Sequence, residues 1–324
     1  MYINFYQQLI NGPLDAESSY KLADFLLSDA TDIEIASLLT LLNTHPYTAD
    51  ILFGFSQALK SKSKTIPYSS NKVMDVCGTG GDGHNTFNIS TTTALILKEF
   101  IPIAKHGNSS ITSKSGSADV LKELNITISE DETIIATELL NNNFSFLFAP
   151  YMHPEMKYIM QIRKQLKVPT IFNVIGPLCN PINLTHQVVG VYNQELLLPM
   201  AKVLLRQGLV KAAIVCGHNN MDELTTTGIN HIALIDQGKI DMIVLDPSKY
   251  GFKRSSLDVL KGGSAVENAV ITNQILNGEQ GQKTDIVILN AAFALYIGEV
   301  VESIENGIQL VTDYLYSSSQ KEIL

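Results

Sequence analysis

The stretch DVCGTGGDGHNTFNIST, residues 75–91, sets four glycines (Gly78, Gly80, Gly81, Gly83) into six positions between an apolar run and a polar segment, Asn88-Ile89-Ser90-Thr91. It reads as strand, glycine turn, helix. Glycines at this density let the backbone take positive φ and bring its N–H groups close to a ligand, which is how a main chain wraps an anion. The free N–H groups at the head of the following helix favour phosphate for the same reason. The spacing is neither GxxxxGK[ST] nor a clean GxGxxG, so the nucleoside triphosphate and dinucleotide signatures are absent. Taken alone, the same glycines also fit a tight turn before a capped helix.

Around this stretch, short apolar runs alternate with helical segments: VMDVC (73–77), IPIA (101–104), FSFLFA (144–149), VVGVY (188–192) and AAIVC (212–216), with amphipathic candidates at 118–124 and 195–206 between them. Such alternation predicts an α/β fold with a mostly parallel sheet covered on both faces. HIALID and KIDMIVLD predict a hairpin turning at Gln237-Gly238, and residues 265–320 return to helix. The first sixty residues differ. They carry helical faces at Leu22/Phe25/Leu26, Ile35/Leu38/Leu39/Leu42 and Ile51/Leu52/Phe55/Leu59, with a capping box at Thr31 and Glu34. A small N-terminal helical unit, residues 1–65, is therefore expected ahead of a larger α/β unit, 70–324, with a linker across 61–69.

In an open α/β sheet, ligands bind beyond the carboxyl ends of the strands. Two further polar loops fall at such ends. KHGNSSITSKSGSADVLKELN (105–125) adds Lys105 and Lys114 to small polar residues, and Ser117 is placed to cap a helix from Ala118. Two phosphate-compatible loops side by side suggest a ligand with two phosphate groups, although a Lys-His-Gly-Asn by itself also suits a surface turn. CGHNNMDELTTTG (216–228) carries Asp222 and Glu223, hard oxygen ligands suited to Mg²⁺; an isolated acidic pair is equally a solvated one. In the segment 148–181, His153-Pro154 starts a helix on which Arg163 could fork a carboxylate, or stand solvated with Lys164 and Lys167.

Composition sets the outer bounds. A chain of 324 residues, 45% hydrophobic and 17% charged, buries a large core, and its formal charge of −9 argues against nucleic acid and anionic membranes as partners. Three widely spaced cysteines form no CxxC pair and suit a reducing compartment; with no apolar run near the roughly 20 residues that span a bilayer, a cytoplasmic protein is expected.

In this order the segments GTGGDGHNTFNIST, KHGN…SKSGSADVL, FAPYMHPEMK…R, TIFNVIGPLCNP, MDE and AVENAVI…DIVILNAAFALYIGE resemble anthranilate phosphoribosyltransferases over nearly the whole chain. The resemblance implies a helical domain, completed by helices from about 154–182 and hinged to the α/β domain. It further implies a homodimer, an active site in the cleft, and transfer of phosphoribose from phosphoribosyl pyrophosphate to anthranilate in tryptophan biosynthesis. It assigns the sugar diphosphate to Gly78, Gly81, Asp82, Thr86, Asn88, Ser90, Thr91, Lys105, His106, Gly107, Asn108, Ser113 and Ser117. Magnesium, as two ions per site, falls to Ser90, Asp222 and Glu223, and anthranilate to Gly78, His106, Asn108, Pro150, His153 and Arg163. No side chain is assigned as a covalent or acid–base catalyst. Other readings are a different acceptor, a pyrimidine nucleoside phosphorylase, which would not need the acidic pair, and a non-catalytic nucleic-acid-binding relative, which would want a basic surface. The chain departs from the family pattern at Ser109, where Arg is usual, and at Cys216, Asn219, Asn220 and Met221, where His, Asp, Gly and Leu are usual.

Overall fold

The computed structural model describes residues 1–110 and 114–317. Its centre is a seven-stranded sheet in the order β3-β2-β1-β4-β5-β6-β7. These strands are β1 (Met74–Gly78), β2 (Ile103–Gly107), β3 (Phe144–Phe148), β4 (His186–Gly190), β5 (Lys211–Cys216), β6 (Asn230–Asp236) and β7 (Lys239–Leu245). The first five are parallel, and β6 and β7 run antiparallel. The expected mostly parallel sheet is present. The hairpin also turns where expected, with Gln237 at φ 48° and Gly238 at φ 76° joining the paired residues Asp236 and Lys239.

Strand order runs outward from β1 to β3, then jumps back to β4 on the other side of β1. The crevice opens at that reversal, between β1 and β4. The connection that makes the jump is α8 (Ala149–Met152), α9 (Met156–Leu166) and two single 3₁₀ turns, Ile171–Asn173 and Gly176–Cys179. The other crossovers use α5 (Ile89–Leu97), α6 (Ser117–Glu123) with α7 (Glu132–Asn142), and α10 (Leu197–Arg206).

The N-terminal helices α1 (Tyr2–Asn11), α2 (Ala16–Ser28), α3 (Asp32–Leu42) and α4 (Ala49–Ser61) bury the faces their periodicity marks: Leu22, Ile35, Leu38, Leu39, Leu42, Ile51, Leu52 and Phe55 are fully buried. Glu34 reaches back to accept from Thr31 N at 2.9 Å, the carboxylate arm of the capping box. This helical core continues without a break into Met200, Ala201, Ile214 and Ala233, which belong to α10 and one face of the sheet. The opposite face packs α5, α11 (Ala265–Leu276), α12 (Gln282–Ile297) and α13 (Ile304–Tyr316). The expected return to helix is made by these last three helices, with turns at 277–281 and 298–303 between them.

Several boundaries differ from the sequence expectation. β2 omits Ile101 and Pro102 and runs on through Lys105, His106 and Gly107, so the second loop begins at Asn108. β4 starts two residues early, at His186 and Gln187, both 1% exposed. In each case polar side chains lie inside the sheet because neighbouring elements satisfy or enclose them, and a search for apolar runs passes over them. α10 begins at Leu197 rather than Glu195, after a turn over Gln194–Leu196.

Phe55 stands where the helical core meets the crossover, edge-on to Phe172 with ring centroids 6.1 Å apart. Its truncation leaves a cavity at that joint. Phe55→Ala should destabilise the chain by about 3–5 kcal/mol, read as a shift in the urea midpoint; a loss below about 1 kcal/mol would show that the joint relaxes around the missing ring.

Candidate active site

Three loops meet at the crevice. After β1 the chain turns through Gly80, Gly81 and Gly83, all at positive φ (69°, 86° and 74°), and the exposed turn presents main-chain amides at the rim. Gly78 differs from the expectation: it is not in the positive-φ group, and it is small because a Cβ there would overlap the Asp222 carboxylate. Its partner across the β1–β4 ladder is Gly190, where a Cβ would overlap the Asp222 main-chain carbonyl. Sequence reading missed Gly190, a glycine inside an apolar strand, which is a recognised mark of close backbone approach.

Through that double gap the 217–224 loop descends onto the glycine turn. Asp222 accepts from Gly80 N at 2.7 Å, and Glu223 accepts from Ser90 N, in the first turn of α5, at 3.1 Å. Asn290 on α12 holds the far side, accepting from Leu224 N at 3.2 Å and donating to Leu224 O at 2.7 Å. His84 Nε2 meets Asn219 O at 2.8 Å and ties the two loops at their rims. Asn219 and Asn220 adopt left-handed backbone, φ 59° and 60°. Asparagine tolerates that region, so Asn220 preserves a turn the family usually makes with glycine.

The acidic groups are electrostatically frustrated. Burial pushes the Asp222 carboxyl well above its ordinary value, helped by Asp82 and Glu223. Burial also raises Glu223 to about 7 against the pull of Lys105. Asp82 Oδ2 is buried without a hydrogen-bond partner. Crowded carboxylates of this kind fit a divalent cation. Lys105, 1% exposed, donates to Val76 O at 2.6 Å and stands 3.3 Å from Ser90 Oγ, so Ser90 lies between Lys105 and Glu223. Among the described residues no group of three or more His, Cys, Asp or Glu side chains is arranged to hold a metal unaided. Mg²⁺ suits such a site, because it is commonly bound through one or two carboxylates, water and substrate phosphates.

Asn88 sits at the head of α5, but its side chain turns away from the helix to Ser115 O at 3.5 Å and accepts from Asn268 at 2.8 Å. Thr91 Oγ1 is buried without a partner. Ser117 does not cap α6; it is the first helical residue, and Asp119 accepts from Gly116 N at 2.9 Å instead. Asn108 accepts from Ser109 N at 2.8 Å, and its carbonyl accepts from Ala118 N at 3.2 Å, folding the second loop back on α6. Gly107 closes β2 against the Phe146 ring, and Thr86 bridges to Lys261. Ser113 lies outside the described residues.

The opposite wall is neutral. His106 and His153 stack edge-to-face at 5.1 Å, and burial lowers them to about 3 and about 4. His106 Nε2 lacks a partner and His106 Nδ1 meets Gly176 O at 3.3 Å, while the His153 ring lies within electrostatic reach of the Cys179 and Leu59 main chain without a well-formed hydrogen bond. Pro150, in α8, is exposed. Arg163 is half-buried rather than solvated with Lys164 and Lys167. It donates to Asn173 Oδ1 at 2.9 Å and to Met160 Sδ at 3.1 Å, and lies 5.7 Å from the Phe172 ring centroid. These contacts turn it toward the crossover and not onto the histidine pair.

Beneath the histidines lies Asp75, fully buried on β1 and passed over by the sequence reading although it is a charge within an apolar run. It accepts from His106 N at 3.3 Å and from Asn180 Nδ2 at 3.1 Å; Asn180 also donates to Ala104 O at 2.9 Å and accepts from Ile182 N at 3.0 Å. Asp75 thus fixes β2 to the returning crossover.

Fold and site together define a glycosyl transferase of the α/β-domain type: residues 70–319 match the family profile "Glycosyl transferase family, a/b domain". The chain is 45% identical over 312 residues to an anthranilate phosphoribosyltransferase of Bacillus cereus (strain B4264), covering 95% of this chain and 91% of that one. It is 44% identical to the Bacillus mycoides (strain KBAB4) enzyme, with 95% and 92% covered. The crystal structure of the Thermus thermophilus anthranilate phosphoribosyltransferase superimposes with a TM-score of 0.91 at 31% identity, covering 98% and 95%. A Saccharomyces cerevisiae anthranilate phosphoribosyltransferase in complex with PRPP and Mg gives 0.90 at 25%, covering 98% and 94%. The chain belongs to the anthranilate phosphoribosyltransferase family.

Burial raises Asp75 from an ordinary 3.8 to about 6. A carboxyl raised on folding supports the folded state fully below its unfolded pKa and loses that support as pH rises through the folded value. Between pH 4 and pH 7 the stability of the wild type relative to Asp75→Asn should therefore fall by about 2 kcal/mol. Urea denaturation at a series of pH values measures this. A flat difference would show that Asp75 titrates as it does in the unfolded chain.

Proposed function

We infer that this protein is an anthranilate phosphoribosyltransferase. It transfers the phosphoribosyl group of phosphoribosyl pyrophosphate to the amine of anthranilate, releasing pyrophosphate, as a step of tryptophan biosynthesis. The carrying observation is the descent of Asp222 and Glu223 onto Gly80 N and Ser90 N, which brings both carboxyl groups to the glycine turn and the head of α5, where Lys105 reaches Ser90 Oγ.

In the reaction the bond from ribose C1 to the diphosphate oxygen breaks with its electron pair leaving on pyrophosphate, and the amine nitrogen forms the new bond at C1 and releases its extra proton to pyrophosphate or water. Positive charge builds on the ring and negative charge on the leaving group. When bound, Mg²⁺ supplies Lewis-acid stabilisation of that negative charge. We propose two ions, held through Ser90, Asp222 and Glu223 and completed by diphosphate oxygens. The chain's own part is preorganised: the 78–83 amides with Asp82, the α5 head from Thr86 and Asn88 to Thr91, Lys105 and the 107–117 loop with Asn108, Ser113 and Ser117 orient the leaving group. His106, Asn108, Pro150 and His153 bound the acceptor, with Gly78 beneath, and Arg163 holds its carboxylate once its guanidinium leaves Asn173 Oδ1 and Met160 Sδ. The acceptor is an aromatic amine, already uncharged near neutral pH, and the neutral histidine wall adds no proton donor beside it. Proximity then supplies much of the rate, so no strong base is needed.

Residues 1–65, with 154–182, form a lobe that closes on the α/β unit in this reading. The protein is a cytoplasmic homodimer in the same reading, and exposed Ile3 and Ile10 on α1 with Ile33 on α3 support pairing of two copies.

With Mg²⁺ and phosphoribosyl pyrophosphate the protein should consume anthranilate fluorescence, and should not use thymidine with phosphate. Asp222→Asn and Glu223→Gln should each slow turnover roughly 100-fold or more, while Arg163→Ala should chiefly raise the anthranilate KM. Undiminished turnover in both acidic variants would remove the metal assignment.

A further inference from the structure

Asparagine is a favoured helix N-cap, yet the side chain of Asn88, which holds that position on α5, caps no N–H of its helix. Its amide is held by α11 instead. Which end of that amide faces α11 follows from a main-chain atom that can only donate. Gly263 N lies 2.8 Å from the Asn268 side chain, so the atom it meets is Oδ1 and the Asn268 amide nitrogen points the other way. That nitrogen donates to Asn88 at 2.8 Å, so the atom of Asn88 facing α11 is Oδ1. Asn88 Nδ2 is thereby turned toward the second loop, 3.5 Å from Ser115 O, and its other N–H has no acceptor among the described residues.

Asn268 is 2% exposed and has no freedom to turn over, since a flipped amide would set its nitrogen against Gly263 N, donor against donor. The segment ahead of it runs beside residues 85–87: Phe87 N donates to Leu260 O at 3.1 Å and Gly262 N to Asn85 O at 2.9 Å. A Cβ at Gly262 would stand 2.6 Å from both Asn268 Oδ1 and Phe87 Cα, so glycine there lets the segment press on both. One turn further along each helix, the Thr92 and Thr272 hydroxyls meet at 2.9 Å, and Thr92 Oγ1 donates to Asn88 O at 3.0 Å. α11 therefore grips α5 at two points a turn apart and fixes both the backbone and the side chain of Asn88.

Resting on the transferase reading, which sets the diphosphate at the head of α5, we propose that Asn268 is a positioning residue for the sugar donor: it holds the Asn88 amide so that Nδ2, and not Oδ1, is presented to the diphosphate. For an anion the two ends are not equivalent. The amide nitrogen donates to a phosphate oxygen, whereas the amide oxygen in its place would set acceptor against acceptor. Asn268 acts only through Asn88, from a helix that supplies no group to the diphosphate itself.

Calorimetric titration of the protein with phosphoribosyl pyrophosphate and Mg²⁺, beside steady-state turnover, tests this. Asn268→Ala should weaken donor binding roughly 10-fold and raise the phosphoribosyl pyrophosphate KM by a like factor, with the anthranilate KM nearly unchanged. Asn268→Asp, which still accepts from Gly263 N but obliges Asn88 to donate to it, should do at least as much harm. The decisive arm is the Asn88→Ala background, where Asn268→Ala should cost no further donor binding because the group it positions is gone. An equal loss from Asn268→Ala with and without Asn88, an equal rise in both KM values, or an Asn268→Asp variant that binds the donor as the wild type does would overturn the proposal. In those cases Asn268 only fastens the 260–264 segment. A wild type that binds phosphoribosyl pyrophosphate without consuming anthranilate, and loses that binding in Asn268→Ala but not further in the Asn88→Ala background, would instead sink the transferase reading and leave Asn268 standing.

Discussion

Everything at the active end of this sheet depends on a close approach that only two glycines permit. Gly78 and Gly190 are ladder partners on β1 and β4, at the point where strand order reverses, and the space a Cβ would take at either is filled by Asp222. Because the crevice is floored by missing side chains, the 217–224 loop can drop far enough for its carboxylates to reach Gly80 N and Ser90 N. A side chain at either position would hold the acids away from the head of α5. The buried α12 reinforces the arrangement from behind, since Asn290 satisfies both the N–H and the carbonyl of Leu224. Catalytic geometry here is thus a packing result before it is an electrostatic one.

The crevice then separates two kinds of chemistry. On the sheet side, Asp82, Asp222 and Glu223 crowd together and Lys105 acts on Glu223 alone, a surplus of carboxyl groups that favours a divalent ion and, through it, a diphosphate. Toward the helical side, burial keeps His106 and His153 neutral, and His106 Nε2, which has no partner, offers a weak polar contact to an aromatic ring with polar substituents. A departing diphosphate needs fixed donors and charge; an aromatic amine needs to remain unprotonated and in place. The same opening provides both because β1 ends between the two walls, with Asp75 below tying the histidine strand to the crossover.

Much of the fold was legible because the physics involved is local. Leu38, Leu39 and Phe55 are buried as the 3.6-residue period requires, and Gln237-Gly238 turns as its backbone demands. What escaped was non-local. Lys105 and His106 look like loop residues until α5 and the crossover enclose them, and His186 and Gln187 look too polar to start a strand. Gly78 reads as one more flexible glycine in its turn, yet its reason for being glycine lies 144 positions downstream at Asp222. Ser117 is the instructive error: the residue type suits a cap, but the helix begins one position earlier and Asp119 supplies the acceptor.

The metal loop shows which level of description is under constraint. Against the usual family pattern, Asn219, Asn220 and Met221 replace Asp, Gly and Leu, which read letter by letter looks like erosion. In three dimensions Asn219 and Asn220 occupy left-handed backbone, which asparagine adopts far more readily than a β-branched or bulky residue. Met221 is fully buried where an apolar side chain is wanted, and its carbonyl accepts from Gly217 N at 2.8 Å. Asn219 O also receives His84 from the glycine loop. The turn therefore delivers Asp222 and Glu223 with the same backbone handedness by other residues, and the loss of the Asp side chain at 219 falls on a rim position rather than on the acidic pair that faces α5.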